Sequence, residues 1–410
     1  MNVLVVNAGS SSLKYQLLDT NTNTLIAKGI CEQIGDDSRS LIDHKQIVKG
    51  LRVTENRPMK NHAEAMKMVV DMLLDKTYGC ISSMDEIEAV GHRIVHGGPY
   101  FTSSILLNDE VLETLRKCYD FAPLHTGAHI QGIEGCLAVM PNKPQVLVFD
   151  TAFHQTMAPE AYMYALPYEI YEKYAVRRYG AHGTSHRYVS KEMCRILGKT
   201  EGTKIVTCHI GNGSSISAVK DGKVMDTSMG FTPLAGVEMG TRCGDIDPAI
   251  VPYLMEKMNL STAEVNELMN KKSGFLGITK NYASDSRVLE EAISKGPSDP
   301  HYELSNLAVN ILKHQIKKYI GSYAALMNGL DAIVFTAGIG ENNPHLRELV
   351  CENMDYFGIK IDKELNAKVL RQDNIVKLST ADSKVLVYVI PTNEELMIAR
   401  DTEALVRAAE

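Results

Sequence analysis

The sequence predicts an α/β protein built on two mixed sheets, and three observations point to it. Three short apolar runs each end in a glycine turn. Val3–Val6 runs into Asn7-Ala8-Gly9-Ser10-Ser11-Ser12, Ile205–Cys208 into His209-Ile210-Gly211-Asn212-Gly213-Ser214-Ser215, and Ala332–Phe335 into Thr336-Ala337-Gly338-Ile339-Gly340-Glu341-Asn342. Hairpin-like and helix-like patterns alternate in both halves, as they do where crossover helices cover a sheet. The first two turns also resemble each other, each leading into alternating apolar residues (Leu13, Tyr15, Leu17; Ile216, Ala218). Lying roughly 200 residues apart, they indicate a duplicated domain rather than a short-period solenoid.

The elements follow in order. Strand-like runs fill the first fifty residues, with Asn21-Thr22-Asn23-Thr24 as a turn between two of them. A helix is expected over 62–78, where Ala65, Met68, Val69, Met72 and Leu73 recur at helical spacing. Glu88–Val95 reads as a strand entering a loop, helices follow at 109–121 and 127–139, and Gln145–Phe149 is a buried strand ending at Asp150. In the second half, helices are expected near 186–197, 248–258, 262–271, 285–295 and 301–328. Another begins near Pro344, a favourable first-turn position. Val385–Ile390 is the last strand and Glu394–Ala408 the terminal helix.

Composition narrows the function. A chain of 410 residues with 44% hydrophobic and 23% charged residues suits two or three globular domains with ample core. The net charge of −7 and pI of about 6.0 provide no basic field for nucleic acid or an anionic membrane. Four apolar residues before Asn7 are too few for a signal peptide, and no run approaches the ~18 residues of a membrane span. The eight cysteines show no C-x-x-C spacing and read as reduced, buried thiols, so a cytoplasmic protein is expected.

The turns carry the chemistry. A tight Gly/Ser turn exposes backbone N–H groups with no Cβ in the way, a nest suited to phosphate oxygens. Three in one chain make nucleotide binding the leading reading. Arg93 in Gly91-His92-Arg93-Ile94-Val95-His96-Gly97-Gly98 and Arg242 in Met239-Gly240-Thr241-Arg242-Cys243-Gly244 are glycine-flanked cations able to grip a carboxylate or phosphate. Asp150 and Glu394, each following a strand, suit Mg²⁺ directly or through water, although Glu394 equally suits the cap of the helix it opens. His182, in Gly180-Ala181-His182-Gly183, and His125, in Pro123-Leu124-His125, are the histidines whose settings suggest more than structure.

Asn7–Lys14 and Gly91–Gly98 look like the two signatures of the acetate kinase family. The resemblance continues through Asp226–Gly230, Thr336–Asn342 and Pro391-Thr392-Asn393-Glu394-Glu395, and so spans essentially the whole chain. It implies two duplicated actin-like, RNase H-like domains of the acetate and sugar kinase, Hsp70 and actin superfamily around a nucleotide cleft. Residues 1–150 with 395–410 would form one domain and 151–394 the other, with hinges near 150 and 394, in a homodimer. The implied reaction is reversible, direct in-line phosphoryl transfer between ATP and acetate, giving ADP and acetyl phosphate, with Mg²⁺ or alternatively Mn²⁺.

The resemblance also assigns residues. Ser10, Ser12 and Lys14 would line the phosphate region, with Asn7 and Glu394 at the metal. Arg93 would bind the carboxylate, Arg242 and His182 the transferring phosphoryl group, and Asp150 would stand near the reacting centre. His209, Ile210, Gly211, Asn212 and Gly213 would meet phosphates; Asp285, Ser286, Arg287, Gly338, Ile339, Gly340, Glu341 and Asn342 would meet the nucleoside. Val95, Leu124, Ala181 and Pro233 would surround the acyl methyl. The chain departs from the family at Ala181 (most often Phe), Thr126-Gly127, His129, Ala235 and Lys280-Asn281-Tyr282. The enlarged wall at Ala181 makes propionate or butyrate an alternative substrate. A non-metabolic ATPase of the superfamily is a further alternative, one with no use for Arg93 beside glycines.

Overall fold

The computed structural model describes residues 1–370 and 374–409. The chain divides into two compact units, Met1–Phe153 with Asn393–Glu410, and His154–Thr392. The first holds an eight-stranded sheet of β1 (Asn2–Ala8), β2 (Ser12–Asp19), β3 (Thr24–Glu32), β4 (Leu41–Gln46), β5 (Leu51–Asn56), β6 (Ala89–Ile94), β7 (Ile105–Leu106) and β8 (Gln145–Phe149), ordered 5-4-3-2-1-6-8-7. The second holds β9 (Lys204–Ile210), β10 (Ser214–Lys220), β11 (Lys223–Thr227), β12 (Ala332–Thr336), β13 (Val376–Lys377) and β14 (Leu386–Val389), ordered 11-10-9-12-14-13.

The duplication is visible in those orders. β3-β2-β1 are antiparallel neighbours, and β6 and β8 then add in parallel. β11-β10-β9 repeat the antiparallel run, and β12 and β14 repeat the parallel one. The β1–β2 and β9–β10 hairpins are the first two glycine turns, and parallel β12 ends at the third. Buried faces hold each unit together. Leu4, Val6, Leu13, Leu17 and Ile42 pack on Ala65, Val69 and Leu73 of the helix His62–Leu73. In the other unit Val206, Ile216, Ile333 and Val387 pack with Leu312, Ile316 and Ile320 of the helix Tyr302–Leu326.

Most expected helices are present within a turn of their predicted ends. The first is shorter than expected, stopping at Leu73 rather than 78. There the Asp75 carboxylate accepts from the N–H groups of Thr77 and Tyr78, and Cys80 and Ile81 return to the Leu73 carbonyl. Competition of this kind from an Asp side chain ends helices. The sequence reading also missed Pro159–Tyr162, Tyr168–Tyr174, Gly274–Ile278 and Lys363–Lys368, each too short to show helical periodicity. The third glycine turn is itself a short helix, Ala337–Asn342, entered through a left-handed Ala337 (φ 65°).

Arg93 lies on β6, within the strand expected over Glu88–Val95. Gly91 is there for packing: a Cβ would stand 2.5 Å from Thr402 Oγ1 and 2.7 Å from the Ile398 side chain. Its absence lets the terminal helix Glu394–Ala409 lie against β6, which brings Glu394 beside Arg93.

Candidate active site

In the first unit the chemistry gathers where β1, β6 and β8 end. Gly9 N–H closes the hairpin onto the Ser12 carbonyl at 2.8 Å, and His62 Nε2 bonds the Gly9 carbonyl at 2.8 Å. Asn7 and Lys14 pair directly across β1 and β2, which puts both side chains on one face; Ser10 and Lys14 are exposed. Arg93 donates to Asp150 through Nη2 (2.8 Å) and Nε (3.2 Å to the same oxygen). Its Nη2 also lies 3.3 Å from Glu394 Oε2. The edge expected to grip a carboxylate is therefore occupied by Asp150, leaving Nη1 as the arginine's remaining donor group. The neighbouring carboxylates, Asp150 foremost, raise the Arg93 pKa. Burial raises Glu394 to about 7 against the opposing pull of Arg93, with Asp150 and Glu395 adding to the rise.

His129 supports the same corner. Its Nε2 accepts the Val95 N–H at 3.2 Å, and burial, helped by the charges of His125 and Arg93, pushes it down to about 3. It is thus a neutral acceptor that fixes the backbone two residues beyond Arg93. Thr126 is buried, with its Oγ1 at 3.5 Å from the Cys118 carbonyl. Val95 is half-buried, and the Leu124 side chain lies outside the described residues.

In the second unit His182 and Arg242 converge on Gly213. A Cβ there would lie 3.0 Å from Arg242 Nη2 and 3.5 Å from the His182 ring. His182 holds a left-handed backbone (φ 58°) ahead of the helix Gly183–Leu197, a conformation whose cost of ~1–3 kcal/mol the surroundings must offset. They do so by stacking and hydrogen bonds. Its ring stacks on His209 at 4.1 Å, and Nδ1 is 2.8 Å from Ser215 Oγ. Ser215 Oγ also meets His186 Nε2 at 2.7 Å, and His209 Nδ1 meets Ser185 Oγ at 2.8 Å. Burial first, then the nearby His154 and His209, drive His186 well below its usual pKa, keeping it neutral.

Arg242 differs from Arg93. Its Nη1 donates to the Pro233 carbonyl at 2.7 Å, and among the described residues it has no carboxylate partner. Burial lowers its pKa, the sign of a desolvated cation lacking an anion. Ala181 and Pro233 are near neighbours in sequence of these groups; Ala181 is 5% exposed and packs with the fully buried Met229 and Met239.

A cavity of about 780 Å³ adjoins this turn. Gly211, Asn212, Asp285, Arg287, Gly338 and Asn342 are on its wall, with Ser286 and Ile339. Asp285 caps the helix Ser286–Ser294 and pairs with the exposed Arg287. Gly340 and Glu341 are not on that wall. The Glu341 carboxylate instead accepts the N–H groups of Ala337 (2.7 Å) and Thr392 (3.0 Å), tying the ends of β12 and β14 together. His209 and Ile210 are buried at the end of β9, behind the turn. Sequence reasoning missed Ser284, Glu290 and His345 on the wall. Their adjacency to Asp285 and to Asn342-Asn343-Pro344 was the available signal.

The repeated strand order is the duplicated α/β architecture expected from the sequence, and the chain is a phosphotransferase of the class that uses a carboxyl group as acceptor. It belongs to the acetokinase family, whose model matches residues 2–400. Over 409 residues it is 53% identical to the acetate kinase of Thermoanaerobacterium thermosaccharolyticum, covering 100% of both chains. Over 406 residues it is 54% identical to that of Methanosarcina mazei, covering 99% of this chain and 97% of the relative. The crystal structure of Porphyromonas gingivalis acetate kinase matches with a TM-score of 0.93 at 45% identity, over 99% of each chain. A propionate kinase from Francisella tularensis matches with 0.89 at 40%, over 98% of this chain and 99% of its own. No described helix is long and apolar enough to cross a membrane.

Proposed function

We propose that the protein is an acetate kinase, catalysing reversible phosphoryl transfer between ATP and acetate to give ADP and acetyl phosphate. The observation that carries this reading is the convergence of Arg242 and His182 on Gly213, in the turn that also walls the large cavity. A desolvated guanidinium with no carboxylate partner among the described residues is a ready donor to phosphoryl oxygens. In this reading the second unit holds the nucleotide, with Gly211–Gly213 at the phosphates and Asp285–Arg287 with Gly338, Ile339 and Asn342 at the nucleoside. Within the first unit, Arg93 Nη1 is the donor for the acid, with Asp150 and Glu394 orienting the guanidinium.

A carboxylate is already an anionic nucleophile near pH 7, so the reaction needs no general base. Its obstacle is repulsion between the acid and the γ-phosphate, which positioned cations relieve. Direct in-line transfer without a phosphoenzyme follows. Mg²⁺ fits the chemistry of these donors: Glu394 supplies a largely buried carboxylate and Asn7 an amide oxygen. A magnesium ion held by one or two protein oxygens with water and phosphate is the common arrangement, and when bound it would neutralise phosphate charge. The family likeness further supports a cytoplasmic homodimer with domains of residues 1–150 plus 395–410 and 151–394.

A second reading, propionate as the main acid, is favoured by the small side chain at Ala181 and the similarity to a propionate kinase. Incubation with ATP, Mg²⁺ and each acid in hydroxylamine distinguishes them. Acetate should yield the hydroxamate with the highest kcat/KM. A higher value for propionate establishes the second reading, and ATP consumption without hydroxamate refutes both.

A further inference from the structure

The open face of the first sheet carries a row of cations that the phosphotransfer reading does not use. Along β2, β3 and β4 the residues facing the core are buried: Leu13, Tyr15 and Leu17, then Ala27 and Cys31, then Ile42 and His44. Residues of the opposite parity make the other face. There Gln16 stands directly opposite Lys28, Lys28 opposite Lys45, and Lys45 opposite Arg52. Like charges directly opposite across strands destabilise a sheet. Two such pairs in one row are a cost that this face carries without return inside the protein.

One carboxylate relieves part of it. Asp43 forms a two-point pair with Arg52, through Nε at 2.9 Å and through Nη2. The lysines are not relieved. Among the described residues Lys14, Lys28 and Lys45 are exposed and make no ion pair. All four cations line one cavity of about 450 Å³, whose wall also includes Asn7, Asp43 and Glu395. Four cations against two carboxylates leave this recess net positive on a chain whose net charge is −7. With strands about 4.8 Å apart, the row from Lys28 to Arg52 spans about 10 Å. Phosphates carried two or three in succession can cover that span, whereas one carboxylate or one phosphate meets a single cation. Lysine binds phosphate as a point charge and tolerates such an extended anion.

We propose that this recess is a second anion site, taking a polyphosphate group at Lys28, Lys45 and Arg52 on the open sheet face. It is distinct from the cavity walled by Asp285 and Gly338 and does not depend on which acid is phosphorylated. Because Asn7 and Lys14 lie on its wall, its occupant would share a boundary with the region proposed for the metal, giving the site a route to regulate turnover.

The test is calorimetric titration of the full chain with tripolyphosphate under saturating ADP, beside the variant Lys28→Gln/Lys45→Gln. The wild type should bind, with affinity falling as salt rises. The variant should lose about tenfold or more, equivalent to roughly 1.4 kcal/mol, while ADP binding and acyl phosphate formation stay unchanged. Relief of cross-strand repulsion should leave the ligand-free variant at least as thermally stable as the wild type. Lys45→Gln alone, which removes both repulsive pairs, is the reserve variant if the double one folds poorly. A parallel ATP titration separates the sources: binding of tripolyphosphate alone identifies a free polyphosphate, and lysine-dependent binding of both identifies a nucleotide. Absence of binding under saturating ADP, or equal affinity in wild type and variant, overturns the proposal.

Discussion

Arg93 and Asp150, 57 positions apart, are joined through two guanidinium nitrogens at the ends of adjacent parallel strands. The Asp150 side chain is only 3% exposed, and the arginine is 25% exposed. A buried carboxylate in this setting depends on its cation, so Arg93 has a structural duty alongside its proposed contact with substrate. Arg242, which among the described residues has a carbonyl partner and no carboxylate, has no such duty. The two arginines look equivalent in sequence, both glycine-flanked, and the structure separates them.

Arg93→Ala should therefore destabilise the protein as well as inactivate it. Breaking a buried pair by removing one partner costs about 3–5 kcal/mol, because the buried Asp150 carboxylate loses the guanidinium that faces it. Adding Asp150→Asn to that variant removes the buried charge and should recover much of the loss in Tm. Activity should not return. If Arg93→Ala alone melts with the wild type, Asp150 does not depend on the pair.

Arg242→Ala should behave in the opposite way. No carboxylate loses its partner, and one hydrogen bond to the Pro233 carbonyl is lost, worth about 1 kcal/mol. Turnover should fall by ~10²-fold or more, the usual effect of deleting a donor aimed at developing charge. The KM for ATP should change much less than kcat. A variant that melts normally and turns over within a few fold of wild type removes Arg242 from the reaction.

Much of the fold was legible because it is written in local patterns: apolar runs into glycine turns, helical spacing along 302–326, and the similarity of the two hairpins. What escaped depends on contacts distant in sequence. Glycines around Arg93 read as room for a ligand, yet Gly91 is kept small by Ile398 and Thr402 of the terminal helix. Glu341 sits in a glycine-rich motif and looks like a ligand contact, yet its carboxylate joins two strand ends. The Ser215 bridge between His182 and His186 has no sequence signature, since a serine following a serine in a turn is unremarkable. The three glycine turns were readable because each is a local strand-to-turn pattern.

Glu238, between the Gly236 and Gly240 turns, gives a pH dependence that no motif announced. It is 2% exposed, neither carboxylate oxygen has a hydrogen-bond partner among the described residues, and burial raises its pKa to about 8. Its folded pKa lies above the unfolded value, so the native state binds the extra proton. Its contribution to stability is full below the ordinary glutamate pKa of about 4.3 and is lost as pH rises through about 8. Glu238→Gln keeps the shape and removes the charge. The variant should match the wild type at pH 5 and melt several degrees higher at pH 8.5. Parallel melting curves for the two proteins from pH 5 to 8.5 would rule this out.

Position 181 offers the test of acyl-chain selectivity. Ala181 is a small buried side chain, and Met229 and Met239, both fully buried, pack against it. The flexible thioethers are suited to filling such a gap, so the space beside Ala181 is apolar and deformable rather than empty. Ala181→Phe must displace one methionine, and overpacking of a filled core costs ~1–3 kcal/mol. If the wall borders the acid, the displaced volume should fall on the longer acids first. A methylene accommodated or refused is worth ~1–3 kcal/mol, or 10–200-fold in kcat/KM. Ala181→Phe should then lower kcat/KM for propionate and butyrate well below that for acetate, alongside a lower Tm. Ala181→Phe combined with Met239→Ala should regain stability, because the cavity it opens receives the ring, while keeping the sharper preference for acetate. If stability recovers and the three-acid ratio equals that of the wild type throughout, position 181 acts only in packing.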